Sequence, residues 1–188
     1  MNKRRLLSIL TCLALCLTLL PTAALAAAVG ETIHVGGVEL TTTEGNPTVY
    51  AKTDDNGVVS TTNADENDYT IMWDGETLTL NNADITQGSY KGAAIYCGED
   101  AGIHLVLVGE STVTGPSGDS TGASYGIYTG GELTISGSGI LNVSGGILNV
   151  SGGNIAASSN GLFVNGNLTI SGGTVHATGG EVSGEYAY

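Results

Sequence analysis

Downstream of residue 77, apolar and polar residues alternate in short runs, and glycine closes nearly every run. Successive side chains of a strand take opposite faces, so each run predicts a strand with one apolar row. Three kinds of run recur in a fixed order. Gly126-Ile127-Tyr128 returns as Gly161-Leu162-Phe163, with an earlier form in Gly92-Ala93-Ala94-Ile95-Tyr96. Glu132-Leu133-Thr134-Ile135-Ser136-Gly137 returns as Asn167-Leu168-Thr169-Ile170-Ser171-Gly172. The third kind reads Ser111-Thr112-Val113-Thr114-Gly115, then Ile140-Leu141-Asn142-Val143, then Thr174-Val175-His176-Ala177. Three strands per repeat, each turned by glycine, predict a three-faced solenoid whose apolar rows share one interior. Its coils stack at a strand spacing of about 4.8 Å and pair in parallel.

One irregularity tests that reading. Residues 139–145 and 146–152 are the same heptapeptide, Gly-Ile-Leu-Asn-Val-Ser-Gly. Either the extra strand is looped out or every later strand moves on by one face. A two-glycine linker is short for skipping a face, which favours the shift.

Residues 27–75 follow another pattern. Gly36-Gly37, Asp54-Asp55-Asn56-Gly57 and Asp74-Gly75 each separate two short β-prone runs, which are hairpin signals. This segment is expected to be a β-rich N-terminal cap over an otherwise open end. Residues 76–188 are the repeats. They stop without a closing element, which suggests a chain truncated at its C-terminus.

Composition sharpens the picture. The chain carries 30 glycines, 18 acids and only five lysines and arginines, a charge of −13. Three of those basic residues, Lys3, Arg4 and Arg5, precede an apolar run at 6–20 and the small-residue site Ala24-Leu25-Ala26. That is the layout of a secretory signal peptide over 1–26. Cleavage there leaves Lys52 and Lys91 against 18 acids, a charge of −16. Nucleic acid, which needs a cationic footprint, is excluded as a partner, the same charge argues against docking on anionic lipid, and no membrane insertion is expected after cleavage. Long polar helix formers are scarce, which disfavours helices. Cys12 and Cys16 lie in the leader outside any convincing lipobox. Cys97 alone remains, too isolated for an internal disulfide, and reads as a buried small residue.

The candidate chemistry is thin. The acids gather in turns, at Asp54-Asp55, Asp65-Glu66 with Asp68, and Glu99-Asp100, as solvated turn charges do. No catalytic pair stands out. A pectate-type lyase needs basic residues that Lys52 and Lys91 scarcely supply. No metal ligands are assigned: Asp65-x-Asn67-Asp68 and Asp54-Asp55-Asn56-Gly57 offer oxygens without the spacing of a calcium loop. His34, His104 and His176 are isolated outward residues. The best lead is aromatic. If Ile95 and Ile127 face inward, Tyr96 and Tyr128 face outward on neighbouring coils as an exposed strip suited to a sugar ring. Phe163 extends it only if the duplicated strand is looped out. Trp73 reads as a core plug.

Residues 125–137 resemble the repeat of secreted Gram-positive, clostridia-type surface proteins with carbohydrate-binding-domain-like repeats. Trp73-Asp74-Gly75-Glu76-Thr77-Leu78-Thr79-Leu80-Asn81 is similar to their lead-in segment. The resemblance covers about residues 69–180. It implies an all-β, right-handed parallel β-helix (a three-faced solenoid with a β-rich N-terminal cap), secreted or held at the cell surface. It implies no cofactor other than calcium, which glycan-binding members use. The expected function is an exported, non-catalytic glycan-binding or adhesive module, its partner an extracellular polysaccharide or a host or cell-wall glycan. A purely structural surface stalk is the alternative, and a polysaccharide lyase or hydrolase a distant one.

Overall fold

The computed structural model describes residues 31–117, 123–146, 148–150, 158–180 and 182–184. The expected signal peptide over 1–26 lies outside them. The described chain is all-β, with no helix. Three sheets carry the repeats, and the chain visits them in turn.

In the first sheet, β8 (Ala93–Tyr96), β11 (Ala123–Thr129) and β15 (Ser158–Val164) pair in parallel. In the second, β6 (Thr77–Asn81), β9 (Ile103–Val108), β12 (Leu133–Gly137) and β16 (Leu168–Ile170) do the same. The third joins β7 (Asp84–Ile85), β10 (Glu110–Thr114), β13 (Ile140–Ser144) and β17 (Thr174–Thr178), again all parallel.

The N-terminal strands, by contrast, pair antiparallel, at the hairpin turns that the sequence marks. The N-terminal hairpin β1 (Thr32–Val35) and β2 (Val38–Thr41) turns at Gly36 and Gly37, both at positive φ. It adds to the first sheet by pairing β1 antiparallel to β8. On the second sheet, β5 (Ile71–Trp73) pairs antiparallel with both β6 and β3 (Val49–Thr53), and β3 with β4 (Val59–Ser60). Short connections account for the β1–β2, β3–β4 and β5–β6 pairs, since tight hairpins join antiparallel neighbours only, whereas the repeats return to each sheet after a long circuit.

In-register pairing stacks like on like. Leu78, Leu105 and Ile135 form one inner row; Ile103 and Leu133, Val113 and Val143, and Ile95 and Ile127 form others, all buried. Each such side chain contributes roughly 1.5–3 kcal/mol on burial. Trp73 belongs to the same cluster, its indole N–H donating to the Glu31 carbonyl at 3.2 Å, so it is a core residue as its pattern suggested.

Corners between the second and third sheets need a left-handed residue. Asn82 (φ 53°), Gly109 (66°), Gly137 (100°) and Gly173 (74°) supply it in successive circuits. Corners leading back to the first sheet are tied by serine hydroxyls. The Ser124 hydroxyl donates to the Pro116 carbonyl at 2.8 Å and accepts from Gly146 N–H at 2.7 Å. Ser159 repeats the device on Gly146 and Gly180.

The face shift favoured for the duplicated heptapeptide does not occur. Leu133 still pairs with Leu168, Ile127 with Leu162 and Leu141 with Val175, so later strands keep their sheets. The first copy supplies β13. The second, only partly within the described residues, supplies β14 (Leu148–Val150), which leaves the three sheets and pairs in parallel with β18 (Val182–Gly184). An enlarged corner costs only loop-closure entropy, whereas a shift would mismatch every later apolar row.

Candidate functional site

The outer side of the first sheet carries a ladder of rings. Ile95 and Ile127 point into the core, so alternation turns Tyr96 and Tyr128 outward. Their rings stack with centroids 5.2 Å apart and planes 9° apart. Phe163 continues the ladder from β15, 5.1 Å from Tyr128 at 2°. Its place follows from the duplicated strand leaving the sheets. In-register pairing at the strand spacing imposes this geometry.

Residues that the alternation argument missed complete the surface. Tyr125 lies tilted against both Tyr128 and Phe163, with centroids at 5.3 Å. Tyr125 and Tyr128 meet although strict alternation would part them, and the pairing of β11 with β8 and β15 skips Gly126 between them. A Cβ there would meet Val143 Cγ2 at 2.5 Å and the Ser144 and Gly161 carbonyl oxygens at 2.7 Å. The glycine between two aromatic-bearing segments was the available signal. At the other end, His34 stacks on Tyr90 at 3.7 Å, and both meet Tyr96 edge-on. His34 sits opposite Tyr96 through the β1–β8 pairing, a long-range contact that no local pattern announces.

That cover corrects the expectation for Tyr96. Its ring points outward as expected, yet only 8% of the residue is exposed. Lys91 Nζ lies 5.1 Å from the Tyr96 ring centre, 3.2 Å from its hydroxyl and 3.0 Å from Glu99 Oε1. These partners raise the Lys91 ammonium, and the Lys91 hydrogen bond lowers the Glu99 carboxyl. Burial, with the Tyr96 and Glu99 charges behind it, raises the Tyr128 phenol. Burial also lowers His34, against the pull of Glu39, so this ring stays neutral at pH 7. The accessible face is therefore centred on Tyr128, with Tyr125 and Phe163 beside it and hydroxyl, ammonium and carboxylate groups along one flank. Because stacked rings cover each other, they present edges rather than free faces.

The other candidates read differently. Cys97 is buried, and burial pushes its thiol up to about 12. The turn acids serve their own turns. Asp54 accepts from Asn56 and Val58 N–H, Asp65 from Asn67 and Asp68, and Asp74 from Glu76 and Thr77. Lys52 pairs with Asp68 at 2.6 Å. His104 shares a 2.7 Å hydrogen bond with Ser136. Among the described residues, no group of three or more His, Cys, Asp or Glu side chains could hold a metal ion. A shallow groove of about 450 Å³ on the second sheet is lined by Glu31, Glu76, Glu132 and His104.

In comparisons with known proteins, no family model, no curated protein and no solved structure matches this chain.

Proposed function

We propose that the chain is an exported, non-catalytic right-handed parallel β-helix that binds neutral extracellular polysaccharide at the cell surface. The three sheets visited in turn, each with parallel repeat strands, support the β-helix. Its right hand follows from the general handedness of parallel crossovers. The apolar leader pattern at 1–26 supports export.

The observation that carries the binding reading is the ladder of Tyr128, Phe163 and Tyr125 on one outer sheet face. Amphipathic rings beside hydroxyl and charged hydrogen-bonding groups suit a ligand that is apolar on its C–H faces and polar at its rim. The charge of −16 left after leader cleavage disfavours polyanionic glycans.

A glycan array followed by titration calorimetry tests it. Binding to a neutral glycan is expected, and Tyr128→Ala should weaken it by about 1–3 kcal/mol, on the scale of a lost interface aromatic. Absence of binding across neutral glycans rejects the proposal and leaves a structural stalk. One observation favours that second reading: the rings spend much of their surface on each other, and Tyr96 is almost wholly covered.

A further inference from the structure

We infer that the sheet ends formed by β15, β16 and β17 dock onto the same surface of a second copy of this chain, giving a closed two-fold dimer. These three strands are the last in their sheets. Their inner rows continue rows that are buried one strand earlier. Ile127, Leu133, Ile135 and Leu141 are fully covered. Yet Leu168, in register with Leu133, is 46% exposed, and Ile170, in register with Ile135, is 50% exposed. Leu162, Val164 and Val175 are only partly covered.

Charge separates this end from the rest of the molecule. Exposed sheet edges are normally guarded by charged side chains. The opposite end follows that rule, with His34 and Glu39 on the first hairpin, Lys52 on β3 and Asp84 on β7. Residues 133–180 contain no Asp, Glu, Lys or Arg at all. In an acidic chain, this is the one long stretch where two copies can meet without repulsion.

The partner surface follows from pairing. At the other end the first and second sheets finish on antiparallel hairpin strands, not on repeat strands, so the two ends do not match for parallel head-to-tail stacking. A two-fold axis makes facing edge strands antiparallel and the contact self-complementary. These sheets accept antiparallel neighbours, as β1 on β8 and β5 on β6 demonstrate.

Sedimentation velocity on the protein, expressed from its full coding sequence and purified in the form the cell releases, tests this. A dimer is expected at micromolar concentration. Thr169→Lys, an edge-strand charge, and Ile170→Glu should each raise the dimer dissociation constant about thirtyfold or more, as loss of a central interface contact does. Thr134→Lys, one strand inward, should leave the dimer intact while strand circular dichroism stays unchanged. A wild-type protein that remains monomeric, a series of growing oligomers, or a dimer that survives Thr169→Lys in a folded variant overturns the proposal. Glycan binding has no part in these measurements, so the two ideas fail separately.

Discussion

Replacing Tyr128 removes a ring held on both faces. An exposed aromatic usually contributes little to stability, but here Tyr96 and Phe163 lie parallel on either side. Tyr128→Ala should therefore cost about 1–3 kcal/mol in urea denaturation, two stacked pairs being lost, while Tyr128→Phe should be nearly neutral. Cys97 makes an opposite kind of prediction. An ordinary thiol titrates near 9.0, and burial raises this one to about 12. The native state keeps the proton that the unfolded chain releases. This contribution is complete below pH 9 and is lost as the pH rises toward 12. Cys97→Ala should flatten that part of a stability-versus-pH curve, and a thiol reagent should label Cys97 only on unfolding. The burial of Cys97 and Trp73 was legible from residue type and context. The covering of Tyr96 was not, because His34 reaches it only through the β1–β8 pairing, from a strand far away in sequence, and Tyr90 folds back from the turn just before β8.

Glycine sets the limits on what each element tolerates. The position that Gly126 holds in β11, between Tyr125 and Ile127, is taken by Ala94 in β8, between Ala93 and Ile95. Gly126→Ala would press on Val143 and two carbonyl oxygens, so it should destabilise by about 1–3 kcal/mol in the same assay. Gly173 stands at a left-handed corner where Asn82 serves an earlier circuit. Gly173→Asn should accordingly be milder than Gly173→Val. Deleting residues 146–152 should shorten one corner and preserve the β11–β15, β12–β16 and β13–β17 pairs, visible as a strand circular dichroism signal reduced by no more than the lost β14–β18 pair. The period-2 runs disclosed the strands, and the hairpin turns at Gly36-Gly37 and Asp74-Gly75 disclosed the antiparallel additions. The route of the duplicated strand was hidden. Local linker length argued for a shift, but the matching of five later apolar residues to earlier rows outweighs it.

Over the whole molecule, the acids lie almost entirely before residue 133. The protein should pass unretained over DNA or anionic vesicles at physiological salt; retention without added divalent metal would contradict the partner assignment. A sheet built by in-register stacking also separates what is fixed from what is free to vary. The rows of Ile127, Leu133 and Leu141 constrain each other, because a change in one circuit must be matched in the next. The corner holding the second heptapeptide copy answers to no such rule. Seen from inheritance, it is the site where an in-frame tandem repeat can gain or lose a unit while the ring ladder and the core rows keep their partners. One lineage could thus alter the outline of this protein at that corner without selection having to rebuild its interior.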